Sequence, residues 1–483
     1  MARLATVEEI SILSPELPEL PLHWWQRIVC QRQGCQRSWL PWGALFLSLV
    51  SLGGLMLLGG CSESPEVGVR RAVEQVPMPF PSGGLVDSAG DYEEERPIRR
   101  RLAAYDPQEA ARIVDGIYTE SGDTFTQARA LVASRLLLAD DTPLAARRQV
   151  LDLARRGLES ADDGVSYFAL RALRSAPDVA PDDALRVERR IEAAQTVEVI
   201  DLGYGILAKW KAGDVIAKQI LRPIPPKTET LDYCLWAVRT DDAITAWADQ
   251  APKAKPIPPD LAGRFLELMQ HDSKMARVVA HALIETEATH LVPDVKAKVY
   301  LAEGPAVTRA IAAALILALS PQEGEVWGEL PGLLRECFPL RPDAIGDRIG
   351  IDMVLGQIAT TAAQRGDTPF VDAVWSALEH ASETQRADFI RDLVFKDPAG
   401  ARAEPMFVHV ISRIPDAELS RLLASSRPLQ LILRCTLLGE DPALALPKQG
   451  TPPRDATEQR VRSLLEKMDG KAQSDALPDA TPR

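Results

Sequence analysis

An all-α fold, built by stacking one helix on the next, is predicted for residues 98–446 by three observations. Apolar side chains recur at helical spacing, the intervals between such runs hold Pro, Gly or Asp, and no convincing segment alternates apolar and polar residues. The spacing predicts an early series of helices over 108–118, 124–138, 143–158 and 165–175. It continues with 261–270, 274–285, 293–301, 305–319, 371–380 and 382–395. Connections are short, and most open on a capping residue such as Asp or Ser. About 350 residues of helix favour an extended stack over one globular core. A non-repetitive multi-helix bundle is the alternative, and low aromatic content with many Ala and Leu suits either.

Two helices carry the same register. Val165, Phe168, Ala169, Ala172 and Leu173 follow i, i+3, i+4, i+7, i+8, and Met275, Val278, Val279, Ala282 and Leu283 do the same further along the chain. Each has an aspartate three residues ahead, Asp162 and Asp272, placed to cap orphan amides. The offset between them is close to three units of helix-pair length. In these residues the chain resembles a HEAT or armadillo-like α-solenoid. It departs from the HEAT pattern where Arg277 comes one position late and Ser166 stands in place of an arginine. The 305–319 segment shares the alanine-rich face without the aspartate.

A different signal lies upstream. Residues 38–60 are uncharged, with Trp39-Leu40-Pro41-Trp42 at the start, Leu45-Phe46-Leu47-Ser48-Leu49-Val50 at the centre and small glycines at the end. Leu58-Gly59-Gly60-Cys61 resembles the lipobox of bacterial lipoproteins. The resemblance covers residues 38–62 and implies a signal peptide cleaved between Gly60 and Cys61, with a diacylglyceryl group on the Cys61 thiol. Two or three acyl chains anchor stably where one does not. A retained membrane helix is the alternative, because about 20 apolar residues span a bilayer. Arg27, Arg32 and Arg37 precede the apolar run, so either reading places the bulk of the chain outside the cytoplasm. The stretch 1–37 ahead of that run is long for a signal, and Glu8, Glu9, Glu16 and Glu19 serve no translocation role, so translation is expected to begin further in, for instance near Val29.

The sequence thus divides into a signal peptide with an over-long start (1–60), a disordered tether (61–97), a helical-repeat domain (98–446) and a mostly disordered tail with one short helix at 456–468 (447–483). The tether is inferred from Pro65, Pro77, Pro79, Pro81 and Pro97, Ser82-Gly83-Gly84 and the acidic run from Asp91 to Glu95. The signal segment 1–60 holds four basic and four acidic side chains, so the formal charge of −13 stays with the rest. An acidic surface argues against nucleic acid as partner, since that binding needs Lys and Arg to neutralise phosphates.

Chemistry is nearly absent from the pattern. No phosphate loop, zinc-protease helix or nucleophile elbow is present, and Gly346, Gly350 and Gly356 lack dinucleotide-loop spacing. No catalytic, cofactor-binding or metal-binding residue is assigned; Cys61, as lipid attachment site, is the single site residue. The best residual cluster, His271, Asp272, His281 and His290, is spaced too widely to converge on a metal, and His281 is expected on the solvent face. Asp140-Asp141, Asp162-Asp163, Asp182-Asp183 and Asp241-Asp242 are expected at interhelix turns as caps. Cys234, Cys337 and Cys435 sit in apolar helical contexts and read as buried small hydrophobes. Trp210, Trp236, Trp247, Trp327 and Trp375 read as packing anchors.

The expectation is a lipid-anchored envelope protein whose helical body binds a protein or peptide partner. The alternative is an envelope enzyme or enzyme subunit whose site no linear motif reveals. In the lipoproteins it resembles, an aspartate after the lipid cysteine retains the protein at the inner membrane. Ser62 stands there instead, which implies the outer membrane, facing the periplasm, with an inner-membrane signal anchor as the other possibility.

Overall fold

Short polar side chains open the helices. Ser64, Asp106, Asp123, Asp162, Thr230, Asp272 and Asp367 each accept a hydrogen bond from a backbone N–H two or three residues on, at 2.8 to 3.4 Å, satisfying donors the helix leaves orphaned. The computed structural model describes residues 64–77, 95–138, 142–175, 180–226, 230–340, 345–396, 406–437 and 456–476, and all regular structure among them is helical.

In order these helices are α1 Pro65–Glu74, α2 Arg96–Leu102, α3 Pro107–Glu120, α4 Thr124–Leu136, α5 Leu144–Leu158, α6 Asp163–Arg174, α7 Pro181–Ala193, α8 Val197–Lys209, α9 Gly213–Ile220, α10 Leu231–Gln250, α11 Pro259–His271 and α12 Ser273–Glu285. A short α13, Val292–Val295, runs on into a π turn over Lys296–Tyr300. Then come α14 Ala306–Leu319, α15 Gly324–Cys337, α16 Ile345–Arg365, α17 Thr368–Ala377, α18 Glu383–Lys396, α19 Met406–Arg413, α20 Asp416–Ser425, α21 Arg427–Leu437 and α22 Ala456–Ala476.

From α3 onward the helices alternate between two rows. Each even helix from α4 to α18 packs on the next even helix, and α20 and α21 close that row against α18. The odd helices α3, α5, α7, α9 and α11 form the second row, which α15, α17 and α19 continue. The even helices from α4 to α20 begin at Thr124, Asp163, Val197, Leu231, Ser273, Ala306, Ile345, Glu383 and Asp416, an interval within the range of helix-pair repeats. The helices that share a register, α6 and α12, are therefore three positions apart in one row, as their offset in the sequence implies. One departure from simple stacking occurs at α12, which touches α16 as well as α14.

The even row is the apolar one. In α14 every residue from Val307 to Leu317 except Arg309 is buried, so this helix is apolar on nearly all sides, as a helix enclosed by neighbours must be. The odd row is tied by charge. Arg155 of α5 grips Asp183 of α7 through two hydrogen bonds of 2.8 and 2.9 Å, Arg186 of α7 reaches Glu159 at 2.8 Å, and Lys218 of α9 reaches Glu188 of α7 at 2.8 Å. Arginines also cap carbonyl ends of odd helices: Arg239 donates to Ile191 O at 3.1 Å and Ala194 O at 2.7 Å, and Arg264 to Ile220 O at 3.0 Å.

Several expectations from sequence are corrected by this packing. Residues 65–76, assigned above to the tether, form α1 and the turn after it, and the helix buries Gly68, Val69, Ala72 and Val73 against α3 and α4. Gly68 is what admits it: a Cβ there would lie 1.8 Å from Tyr105 Oη. The tail helix runs to Ala476 and packs on α19, α20 and α21 through Val461, Leu464 and Leu465. Helices α7 to α10, α15, α16 and α19 to α21 have no counterpart in the sequence assignment. Gly203 in α8 is a contact point between helices, since a Cβ there would come 2.5 Å from Ile191 Cγ1, and Pro331 lies inside α15. The proposed signal segment, lipobox and Cys61 lie outside the described residues.

Candidate functional site

The even row holds one concentration of polar groups that its own helices leave incompletely paired. Asp241 and Asp242 lie in the middle of α10, not at a turn as expected, because the helix runs unbroken through them to Gln250. Both are partly accessible. Asp241 faces Lys274 and Arg277 of α12 at 3.8 and 3.9 Å, the outer limit of an ion pair, and its carboxyl titrates above the usual range because burial outweighs those two cations. Burial, then the charges of Asp201 on α8 and of Asp241, push Asp242 up to about 8, with Lys274 opposing. Its Oδ2 is buried without a hydrogen-bond partner among the described residues. His281, one turn past Arg277, is depressed by burial, with Glu285 opposing at 3.9 Å. It is partly exposed, on the accessible side of α12 as expected.

A smaller version recurs between α16 and α18. Burial and the Asp388 charge push Asp352 up to about 6, while Gln385, Arg348 and Arg391 pull it down. Asp388 itself is raised by burial although Arg391 bonds it at 2.6 Å. Among the described residues no three His, Cys, Asp or Glu are placed to hold a metal ion.

At the start of α10, Tyr233 Oη lies 2.7 Å from His271 Nε2 and donates to Asp272 Oδ2 at 3.3 Å, with the Trp236 and His271 rings edge to face at 5.7 Å. An open cavity of about 440 Å³ adjoins it, walled by Pro223, Pro225 and Pro226 with Arg222, Asp232 and Trp236. Burial and the Asp272 charge push the Tyr233 phenol up to about 12, so it keeps its proton. Asp272 is meanwhile held by the cap to Met275 N at 2.8 Å. The group is therefore a strut between α10 and the α11–α12 turn, and a poor source of base or nucleophile.

The remaining sequence candidates scatter. His290 Nε2 accepts from Ile257 N at 3.1 Å, away from the other histidines. Asp162 caps α6, while Asp163 reaches forward to accept from the amides of Gln195 and Thr196 at 2.9 and 2.8 Å. Asp183 is held low: burial would raise it, but Arg155 and the Ala180 amide outweigh that. Asp140 and Asp141 lie outside the described residues. Cys337 is buried and pushed up to about 12 by that burial, and Cys435 is half-buried. Cys234 is exposed, which corrects its reading as a buried hydrophobe. None of the three forms a disulfide among the described residues. The tryptophans pack as expected, Trp247 edge to face on Phe265 at 5.1 Å and Trp327 stacked on Phe370 at 3.4 Å. The Asp201–Asp242 proximity had no signal in the sequence, since it joins separate helices.

Comparison with protein-family models and with curated sequences gives no match. Among solved structures, the crystal structure of an engineered protein aligns with 83% of this chain and 99% of its own length, at 14% identity and a TM-score of 0.21. The fold described above rests on the chain's own packing. No helix among the described residues is long and apolar enough to cross a membrane.

Proposed function

We propose that this is a lipid-anchored protein of the cell envelope, held by an acylated Cys61, whose stacked helices serve as a binding surface for a protein or peptide partner. The anchor half rests on the Leu58–Cys61 pattern behind an uncharged segment. Ser62 favours the outer membrane, periplasmic side. The observation that carries the scaffold half is the Asp201, Asp241 and Asp242 group on α8 and α10, with Lys274 and Arg277 beside it on α12 and one carboxylate oxygen unsatisfied. Buried polar atoms without partners are costly, and a row of helices presenting them suits a segment laid across several repeats. The enzyme reading has one observation on its side, the cavity beside Tyr233. The protonated phenol and the cap-bound Asp272 count against it.

The test is recovery of partners from detergent-solubilised membranes with wild type, Cys61→Ala and Asp242→Lys. Cys61→Ala is expected to remain unprocessed and lose its lipid mass, whereas Asp242→Lys stays lipidated and loses partners held by wild type. Processing of Cys61→Ala to the wild-type size with retention in the membrane would refute the anchor. Undiminished recovery of the same partners by Asp242→Lys would refute this surface.

A further inference from the structure

We infer that the α1–α2 end of the body lies against the phospholipid headgroups of the leaflet that holds the Cys61 lipid. This rests on the anchor reading above and adds an orientation to it. A tether reaching residue 97 would let the body stand off by about 120 Å at full extension, at roughly 3.3–3.6 Å per residue. The folding of α1 removes that freedom. Ser64 caps the helix, Pro65 begins it, and Gly68 is seated beneath Tyr105, so only Ser62, Glu63 and Ser64 separate the lipid cysteine from the packed body. Four residue steps reach about 14 Å at most. The headgroup layer on each side of a bilayer is roughly 5–8 Å thick, so an anchor this short leaves α1 beside it or within it.

The surface presented there fits that neighbour. Val67 is 49% exposed on α1, next to the exposed Arg71 one turn on. On α2 the buried Ile98 and Leu102 face inward, while Arg96, Arg99, Arg100 and Arg101 are all exposed. The helix carries no acid of its own, and Glu95 ahead of it is turned inward to an ion pair with the buried Arg135. Asp91, Glu93 and Glu94 precede it in sequence, outside the described residues. Among the described residues 64–77 and 95–102, six arginines stand against Glu66, Glu74 and the inward-turned Glu95, a basic excess in a chain of net charge −13. Arginine at an anionic lipid surface raises partition roughly fivefold per residue, an effect confined to about a Debye length, ~8 Å, which the short link satisfies.

Orientation can be read with the full, lipid-modified chain in vesicles of phosphatidylethanolamine and phosphatidylglycerol, in a Cys234→Ser, Cys435→Ser background. A nitroxide is placed by Val67→Cys on α1 or by Leu431→Cys on α21, near the far end of the stack, and a nickel chelate is carried on lipid headgroups. Relaxation enhancement at position 67 is expected to exceed that at 431 at least threefold. Joint reversal by Arg99→Glu, Arg100→Glu and Arg101→Glu is expected to halve it or more, with no such change in vesicles of phosphatidylcholine alone. Equal enhancement at 67 and 431 overturns the orientation, and indifference to the charge reversal overturns the role of α2. An unmodified mass for the Cys61 peptide would instead defeat the anchor reading, before any orientation is measured.

Discussion

The two rows of the stack are held by different physics. Successive odd helices are joined by charged pairs, of which Arg155–Asp183 is largely buried, Lys218–Glu188 has a buried carboxylate and Arg186–Glu159 lies at the surface. Successive even helices meet through buried apolar side chains, and α14 is the extreme case. Exposed ion pairs contribute little, because water and salt screen them and long side chains must be ordered. Buried apolar contacts carry the stability and tolerate no loss of volume. The consequence is that the even row, otherwise apolar, leaves a carboxylate oxygen of Asp242 and one of Asp352 without a hydrogen bond among the described residues. A row that gains its stability from packing can carry unpaired carboxylate oxygens, and those are the positions with the most to gain from a bound partner.

The strongest way to break this contrast is Leu315→Ala in α14. With the side chain fully buried, a loss of about 2–5 kcal/mol is expected from the cavity, read from the urea midpoint. A smaller loss than that produced by an odd-row arginine substitution would invert the assignment of the rows. Next comes Asp242→Asn. A carboxyl whose folded pKa is about 8, against about 3.9 unfolded, binds more protons when folded, so its contribution to stability declines as pH rises between those values. Allowing for its partial exposure, the substitution is expected to stabilise by about 1–3 kcal/mol above pH 8 and to flatten the urea midpoint between pH 5 and 8. An unchanged pH profile would remove Asp242 as the source.

Asp272→Ala acts at the turn joining the rows, where it removes both the α12 cap and a Tyr233 contact. A loss of about 1 kcal/mol is expected, with faster hydrogen exchange confined to the first turn of α12. The smallest effect belongs to the odd row. Arg186→Ala, which breaks a pair with Glu159 that is 67% exposed, is expected to cost under about 1 kcal/mol and less still in high salt. A cost that persists under that screening would mean that the odd row is held by more than surface charge.

What the sequence made legible was local. The α6 and α12 registers, their aspartate caps and the helical spacing across 98–175 and 261–319 need only neighbours within one helix, and those elements form. Helices whose reason is tertiary were missed. The close approach of Gly203 in α8 to Ile191 joins two helices and leaves no mark in the local pattern, and α1, with little apolar content beside its prolines, reads as part of the tether although α3 and α4 cover it. The even-row site was illegible for the same cause. Asp241-Asp242 looks like a turn cap because no local feature reports that its helix continues, or that Asp201 stands on the neighbouring one.

The direct contact of α12 with α16 also sets how the stack would yield to force. Where each helix meets only the next of its row, single helix pairs can peel away from either end, each losing little but its own interface. Between α12 and α16 that is not possible, because the two hold each other directly as well as through α14, so freeing any one of the three breaks two interfaces together. Pulled between its ends, the chain would lengthen in a series of short steps from the outside inward, and this three-helix clasp would let go last, as one longer step.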